Sequence, residues 1–502
     1  MRITANDPKQ QPDTSTSIPS RCTRLLLSLC LLCSISAHAQ DLSYAQAEHS
    51  FLQSGYSTQA NQALQQADRL QAEAVKYMGL PRVDLNVRAY AFHNKVEVPL
   101  DQAKSNLEQT LNQGVTGQLN QLQNDHTISP ELANSLQQGL QQNIHSGVGL
   151  IPDTANVVLE DEVIRPTVSV SMPIYTGGLI TSSKQLANLK AQRSQLNTQQ
   201  QLDLQRFEII DAYFSTQLKQ QLSKTARFNL DAAQRHYQNA LKLEQQGFIN
   251  KGQRMQFEVY RNNAQRSDQN AQADLNAALF QLHNLLQNQQ ASTLTTPLFV
   301  NAHIPQSVQA LLKSYPEQSS LIQKLQTDTE LANVNIKAQS AAKKPSIYAF
   351  GEYSLDDKQN WIVGIMARYN LFSGIDKNKN IQAAEFQHYA AQMLTERTKQ
   401  QIENIIYKSF SELQSSQNSH LLLENNLKAA EENLRIQELA FKEGMGTATE
   451  VIDAQNLLMA LNSEKALNAY KYVMSLATLL QSHGSIDQFQ TYIQQPNTAY
   501  IR

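Results

Sequence analysis

The sequence predicts a mainly α fold with a β part, built from one unit (helix, strand, strand, helix, tip, helix) that occurs twice. Three observations predict it. A constant offset of 197 residues aligns Tyr175, Thr176 and Gly177 with Phe372, Ser373 and Gly374, and Gly247 with Gly444, the mark of an internal repeat. In each copy the apolar period changes from 3.6 to 2 and back again. Only 41% of the 502 residues are hydrophobic, so the apolar residues form narrow stripes and not one thick core.

The chain opens with a leader. Arg21 and Arg24 precede an apolar run from Leu25 to Ile35, and Ala37, His38 and Ala39 follow in the A-x-A pattern. Residues 1–39 therefore read as a secretory signal peptide, too short to span a bilayer, with the mature chain starting at Gln40. All cysteines, Cys22, Cys30 and Cys33, lie in or beside this leader, which excludes disulfides from the mature protein. Leu29 and Leu32 stand where a lipoprotein needs a small residue before its acylated Cys. The formal charge of −2 becomes −4 without Arg2, Lys9, Arg21, Arg24, Asp7 and Asp13, and no basic footprint for nucleic acid remains. No later window approaches 18 apolar residues. An exported chain of this kind enters a membrane only as a closed barrel.

The first repeat, 40–290, begins with a helical pattern from Leu42 to Met78 that stops at Gly79 and Pro81. Strict alternation from Val83 to Ala89 predicts a strand over about 82–92, and a second run predicts one over about 166–175. Between them, 93–164 forms a polar insert with helical patches at Asp101–Gln123 and Pro130–His145 and an acidic cluster, Glu160, Asp161 and Glu162. Residues 179–246 lack Pro and Gly and carry an apolar stripe, Phe207, Ile210 and Phe214, that predicts packing between long rods. A tip at 247–252 and a helix from Gln253 to about Leu286 complete the copy. A Thr- and Pro-containing connector, 291–305, leads to the second repeat, 306–484: helix from about Ser307 to Ala342, strands about 346–355 and 361–372, helix to Glu443, tip at 444–449 and a last helix to about Gln481. Residues 485–502 read as a tail.

Four strands cannot close a membrane barrel, whose smallest forms have about eight. Three copies supply twelve, so a homotrimer is the smallest closed assembly. The turns MPIYTGG (Met172–Gly178) and YNLFSGI (Tyr369–Ile375), with the second tip and helix GTATEVIDAQNLLMALNSEKALNAYKYVMSLATLLQSHG, carry a family resemblance. On these pieces the chain from Leu42 to about Gly484 resembles the outer-membrane efflux proteins of the TolC type. The resemblance implies a trimeric twelve-stranded outer-membrane barrel, continued by a long periplasmic α-helical coiled-coil tunnel. It also implies a passive, non-enzymatic, cofactor-free exit duct of a tripartite efflux pump or type I secretion system. Outer-membrane lipid, a periplasmic adaptor (membrane fusion) protein and an inner-membrane pump would be its partners. The alternative is a periplasmic coiled-coil scaffold or adaptor without a pore, which has no need of one-sided alternation in both repeats.

Glu450 and Asp453 share a helix face just past the second tip, whereas the matching Gln253 and Gln256 are neutral. The plain reading is a solvated face that suits a helix N-terminus; the resemblance implies a periplasmic gate, a ring of carboxylates from three chains. It also implies a latch between closed tips, at whose places this chain has Phe441 for a Tyr, Gly446 for an Arg and Gln253 for an Asp. The tips Gly247, Phe248, Ile249 and Gly444, Met445 are helix-hairpin punctuation, and the resemblance makes them adaptor-contact points. The histidines show no ligand spacing, so no metal site is expected. Gly444, Gly446 and Thr449 fail the dinucleotide-loop pattern. Trp361, Tyr90 and Tyr348 are candidates for an interfacial girdle. The insert faces outside the cell in this topology and is read either as a plug, shield or binding element, or as a surface insertion without a transport role.

Overall fold

A computed structural model describes residues 40–502 apart from 126, 288–290, 305, 358 and 373. The leader and Ser373 of the second strand-to-helix turn thus lie outside the described residues, as do the side chains of Glu160, Asp161 and Glu162. The chain divides into a helical unit (up to Lys76, Lys184–Ile336, Gln382–Arg502) and a sheet unit (Tyr77–Ser183, Lys337–Ile381).

In chain order, β1 (Gln40–Leu42) leads into α1 (Tyr44–Ser54), whose N-terminus is closed by a capping box between Ser43 and Gln46. The single helix expected over Leu42–Met78 is two, α1 and α2 (Tyr56–Ala74), because Gly55 takes an extended ψ of 129° between them. A Cβ at Gly55 would lie 2.7 Å from the Phe51 carbonyl oxygen. Next come β2 (Arg82–Pro99), the insert helices α3 (Asp101–Asn124) and α4 (Pro130–Gly149), and β3 (Thr154–Tyr175). Both strands outrun the lengths that alternation predicts, and the insert shrinks accordingly. Backbone pairing continues from Ala91↔Glu162 to Pro99↔Thr154 after the apolar alternation has ended.

The long helix α5 (Leu179–Gln245) and α6 (Lys251–Leu285) follow. The connector then yields two short strands, β4 (Ala291–Leu294) and β5 (Leu298–Val300). Helices α7 (Val308–Gln318) and α8 (Ser320–Ala341) replace the one helix expected from Ser307, with the break at extended Ser319. Then β6 (Ser346–Ser354), β7 (Trp361–Arg368), α9 (Lys377–Lys442) and α10 (Ala448–His483) repeat the first order. β7 stops at Arg368 and does not reach 372. It is an edge strand with one neighbour, whereas β3 is held from both sides to Tyr175. The tail is structured: α11 (Phe489–Ile493) and β8 (Ala499–Ile501), which pairs antiparallel with β5, while β1 pairs parallel with β4.

These short strands belong to the main core of the helical unit. Tyr44, Tyr213, Phe214, Phe299 and Phe489 are essentially inaccessible, with ring centroids 5.2–6.0 Å apart in mostly edge-on pairs. Ile210 and Phe214 of the expected stripe are fully buried there, and Phe207 packs beside them. Asn301, 1% exposed, ties the connector to the tail: its amide donates to the Tyr492 carbonyl and to Thr498 Oγ1, both at 2.8 Å, and its Oδ1 accepts from the Tyr472 hydroxyl. A buried amide satisfied on both sides specifies one arrangement of these segments.

The sheet unit has one antiparallel sheet of order β2-β3-β6-β7. Residues directly opposite in such a ladder share a face, so the register groups Val83 with Val170, Leu85 with Val168 and Tyr353, Ala349 with Met172 and Ile365, and Gly351 with Val363. The reverse face holds Asn86, whose amide donates to Ser169 Oγ at 2.9 Å, and the ion pair of Arg88 with Glu352 at 4.0 Å. Of the girdle candidates only Trp361 lies on the apolar face, opposite Tyr353; Tyr90 and Tyr348 fall on the polar one, because their even positions share the parity of Asn86 and Phe350.

Candidate functional site: the apolar sheet face and the helical tips

The sheet reverses the burial of a soluble β-protein. Its apolar face is open: Val83, Leu85 and Val87 are 64–68% exposed, Val363 and Ile365 about 70%. A continuous apolar surface across four strands marks an interaction site or a membrane contact. On β2 this face runs Val83, Leu85, Val87, Ala89, Ala91 and then changes to His93, Lys95 and Glu97. That is nine residues from first to last, close to the roughly 9–11 a tilted strand needs to cross hydrocarbon. No described helix is long and apolar enough to cross a membrane.

Both tips are built by the same local code, 197 residues apart. In the first, Gly247 at φ 78° ends α5, and the Phe248 amide donates to the Leu243 carbonyl at 2.9 Å. In the second, Gly444 at φ 75° ends α9, and the Met445 amide donates to the Ala440 carbonyl at 2.8 Å. Each is a Schellman turn, which needs a left-handed residue and so favours glycine. Each next helix opens with a capping box: Asn250 with Gln253, and Thr447 with Glu450. Phe248 and Met445 project from the turns, 74% and 80% exposed, while Ile249 packs inward beside Ala240, Phe257, Ala448 and Val451.

The paired carboxylates are not equivalent. Glu450 Oε2 accepts from the Thr447 amide at 2.7 Å and from its hydroxyl at 3.0 Å. The amide bond first, then the hydroxyl, holds the Glu450 carboxyl below its usual range. Asp453 is exposed and, among the described residues, makes no ion pair or side-chain hydrogen bond. It is the free charge of the pair.

The three residues at the places where the resemblance implies a latch make the following contacts within the chain. Gln253 Oε1 accepts from the Asn250 amide at 3.2 Å. Gly446 lies so close to the preceding turn that a Cβ would sit 3.0 Å from the Phe441 nitrogen and 3.2 Å from Ala440 Cβ. The Phe441 ring packs edge-on against Phe257 at 5.3 Å, and His236 stacks on the same Phe257 at 6.0 Å. Burial pushes the His236 imidazole below its usual pKa. These rings and Val451 line a cleft of 500 Å³ rimmed by Arg235, Lys242 and Lys442. The first tip has ionic contacts where the second is apolar: Arg254 pairs with Glu244 at 3.1 Å and with Glu258. Phe257 and Arg254 escape a sequence reading because their partners Phe441 and Glu244 lie on other helices; only the i, i+4 spacing of Arg254 and Glu258 is local. No group of residues that could hold a metal occurs among the described residues.

Residues 311–485, which cover nearly all of the second repeat, match the family described as outer membrane efflux protein. No curated protein is similar enough to count as a match. Among solved structures the chain is similar to CusC (16% identity, 88% of this chain and 92% of that one, TM-score 0.67). It is also similar to the outer membrane protein VceC of Vibrio cholerae (14%, 88% and 96%, 0.67). A third is the MtrE outer membrane channel of Neisseria gonorrhoeae in its open state (16%, 88% and 89%, 0.65). The match to the outer membrane efflux protein family is thus confined to residues 311–485, and the chain has the fold of these outer-membrane proteins.

Proposed function

We propose that this protein is an outer-membrane exit duct: a homotrimer whose three four-stranded sheets close into a twelve-stranded barrel, with the helical units forming a periplasmic tunnel. The observation that carries this is the open, continuously apolar face of the sheet, whose reverse carries the ion pairs Arg88–Glu352 and Arg165–Asp356 among mixed residues. In lipid such a face is satisfied, and the unpaired edges of β2 and β7 are satisfied by pairing between copies. A pore-free scaffold offers neither. The matched family and the channel structures support the same reading.

The duct is passive and works with a periplasmic adaptor and an inner-membrane pump, as part of a tripartite efflux or type I secretion machine. The exposed Phe248 and Met445 are the adaptor contacts, and crosslinks from Phe248→Cys and Met445→Cys to a co-expressed adaptor test them. Three copies of Asp453, supported by Glu450, form the ring that selects cations at the periplasmic gate. Three measurements bear on the whole. The protein stays with outer membranes after a carbonate wash, has a trimeric mass in mild detergent, and conducts ions in planar bilayers with block by multivalent cations. Asp453→Lys removes that block and reverses the selectivity. A monomeric mass, or release by carbonate, sinks the duct; unchanged block in Asp453→Lys sinks the ring alone.

A further inference from the structure

The insert hairpin α3–α4 carries a leucine face that its own two helices leave open. The helices run antiparallel: Glu108 meets His145 at 2.9 Å and Thr116 meets Gln137 at 3.3 Å. Their mutual interface is thin, with Leu119, Ala133 and Val148 the buried residues. Leu107 precedes Glu108 by one position, and Leu132 and Leu136 precede Ala133 and Gln137 by one. Each therefore lies about 100° around its helix from a residue that faces the partner helix, in the same rotational sense. In antiparallel helices that sense puts the leucines of both on one side of the hairpin. With Leu111 they are 42–49% exposed. The opposite flank is polar and also exposed, as at Gln113 on α3 and Gln138 on α4. Helices of 24 and 20 residues joined only by this narrow seam need further cover for their apolar side.

The sheet topology indicates what covers it. The hairpin grows from β2, the edge strand whose free side must meet another copy for the sheet to close. β7, the other edge, has 8 residues against the 18 of β2, so the β2–β3 ribbon continues past that junction and holds its helices there through the Leu100 amide to the Asp153 carbonyl at 2.8 Å and Lys104 to Asp153. Three copies so joined bring three hairpins to one mouth. Charge offers little opposition: over 101–150 the Asp, Glu, Lys and Arg residues are Asp101, Lys104, Glu108, Asp125 and Glu131.

We propose that the α3–α4 hairpins of three protomers pack leucine face to leucine face as a helical cap over the mouth of the barrel. This rests on the trimeric duct argued above. The test uses the full chain with Cys22, Cys30 and Cys33 replaced by Ser, and a short bismaleimide. Leu136→Cys gives two-chain and three-chain products in membranes, whereas Gln138→Cys, on the polar flank, gives few. The double variant Leu111→Gln, Leu136→Gln raises single-channel conductance at least twofold while the trimer persists. A trimeric mass with no Leu136 crosslink, or with equal crosslinking at Gln138, overturns the cap and leaves the duct standing. So does unchanged conductance in the double variant. A monomeric mass removes the duct, and the cap with it.

Discussion

The two tips share every backbone device and differ in what they do with it. Both close with a left-handed glycine and a capping box. Yet where the first places Glu244, Ile249 and Arg254, the second places Phe441, Gly446 and Val451 at the same offset. Both tips share the apolar cluster around Phe257, to which the first contributes Ile249 and the second Phe441 and Val451; the first adds the partly buried Arg254–Glu244 ion pair. Local turn chemistry thus sets the shape of a tip, and the residues one helical turn away set how firmly it is held. An ionic contact near solvent is weak and salt-dependent, whereas a packed ring is neither.

The sharpest way to break this contrast is Phe257→Ala. Its ring is fully buried, so the cavity costs about 3–5 kcal/mol, read as faster hydrogen exchange at tip amides of α6 and α10. Equal protection in the variant would show that packing does not hold the second tip. Making the tips alike by Gly446→Ile forces a Cβ into the 3.0 Å contact with Phe441, and overpacking of this kind costs about 1–3 kcal/mol; a lowered melting temperature by circular dichroism checks it. Thr447→Ala and Asn250→Ala each remove a cap worth about 1 kcal/mol, and the two should fray the start of their helices to similar extents. They differ in pH response. The folded Glu450 carboxyl titrates below its ordinary value of 4.5, so its contribution is present above that value and is lost as pH falls through the folded pKa. Gln253 has no such step. Acid fraying confined to α10 checks this by exchange at pH 3 against pH 7. The smallest effect is Arg254→Ala, whose loosening of the first tip falls below that of the caps and shrinks in high salt, read by exchange at the Gly247 turn.

Much of this was legible in the chain. The alternation at Val83–Ala89 marked the apolar face of the sheet, and the glycines at 247 and 444 located both turns. The insert helices lie within four residues of where their patterns place them. Runs of three or four residues, such as Leu298–Val300 and Ala499–Ile501, are too short to express a period, so the connector and tail read as loops although they fill the core. Gly55 broke a helix that its neighbours would have continued. At the tip, Glu450 and Asp453 looked like a pair because spacing records the face and not the partner.

By itself the sequence determined the repeat, the helix and strand periods, the turns and the caps. These depend on interactions within a few residues, where 3.6 and 2 are fixed by backbone geometry. The tertiary structure decided what those elements touch. It brought Phe257 to Phe441, packed Ile249 beside Val451 and bound the tail to the connector at Asn301. Contacts between distant segments depend on how helices pack and strands register, and no local pattern encodes them.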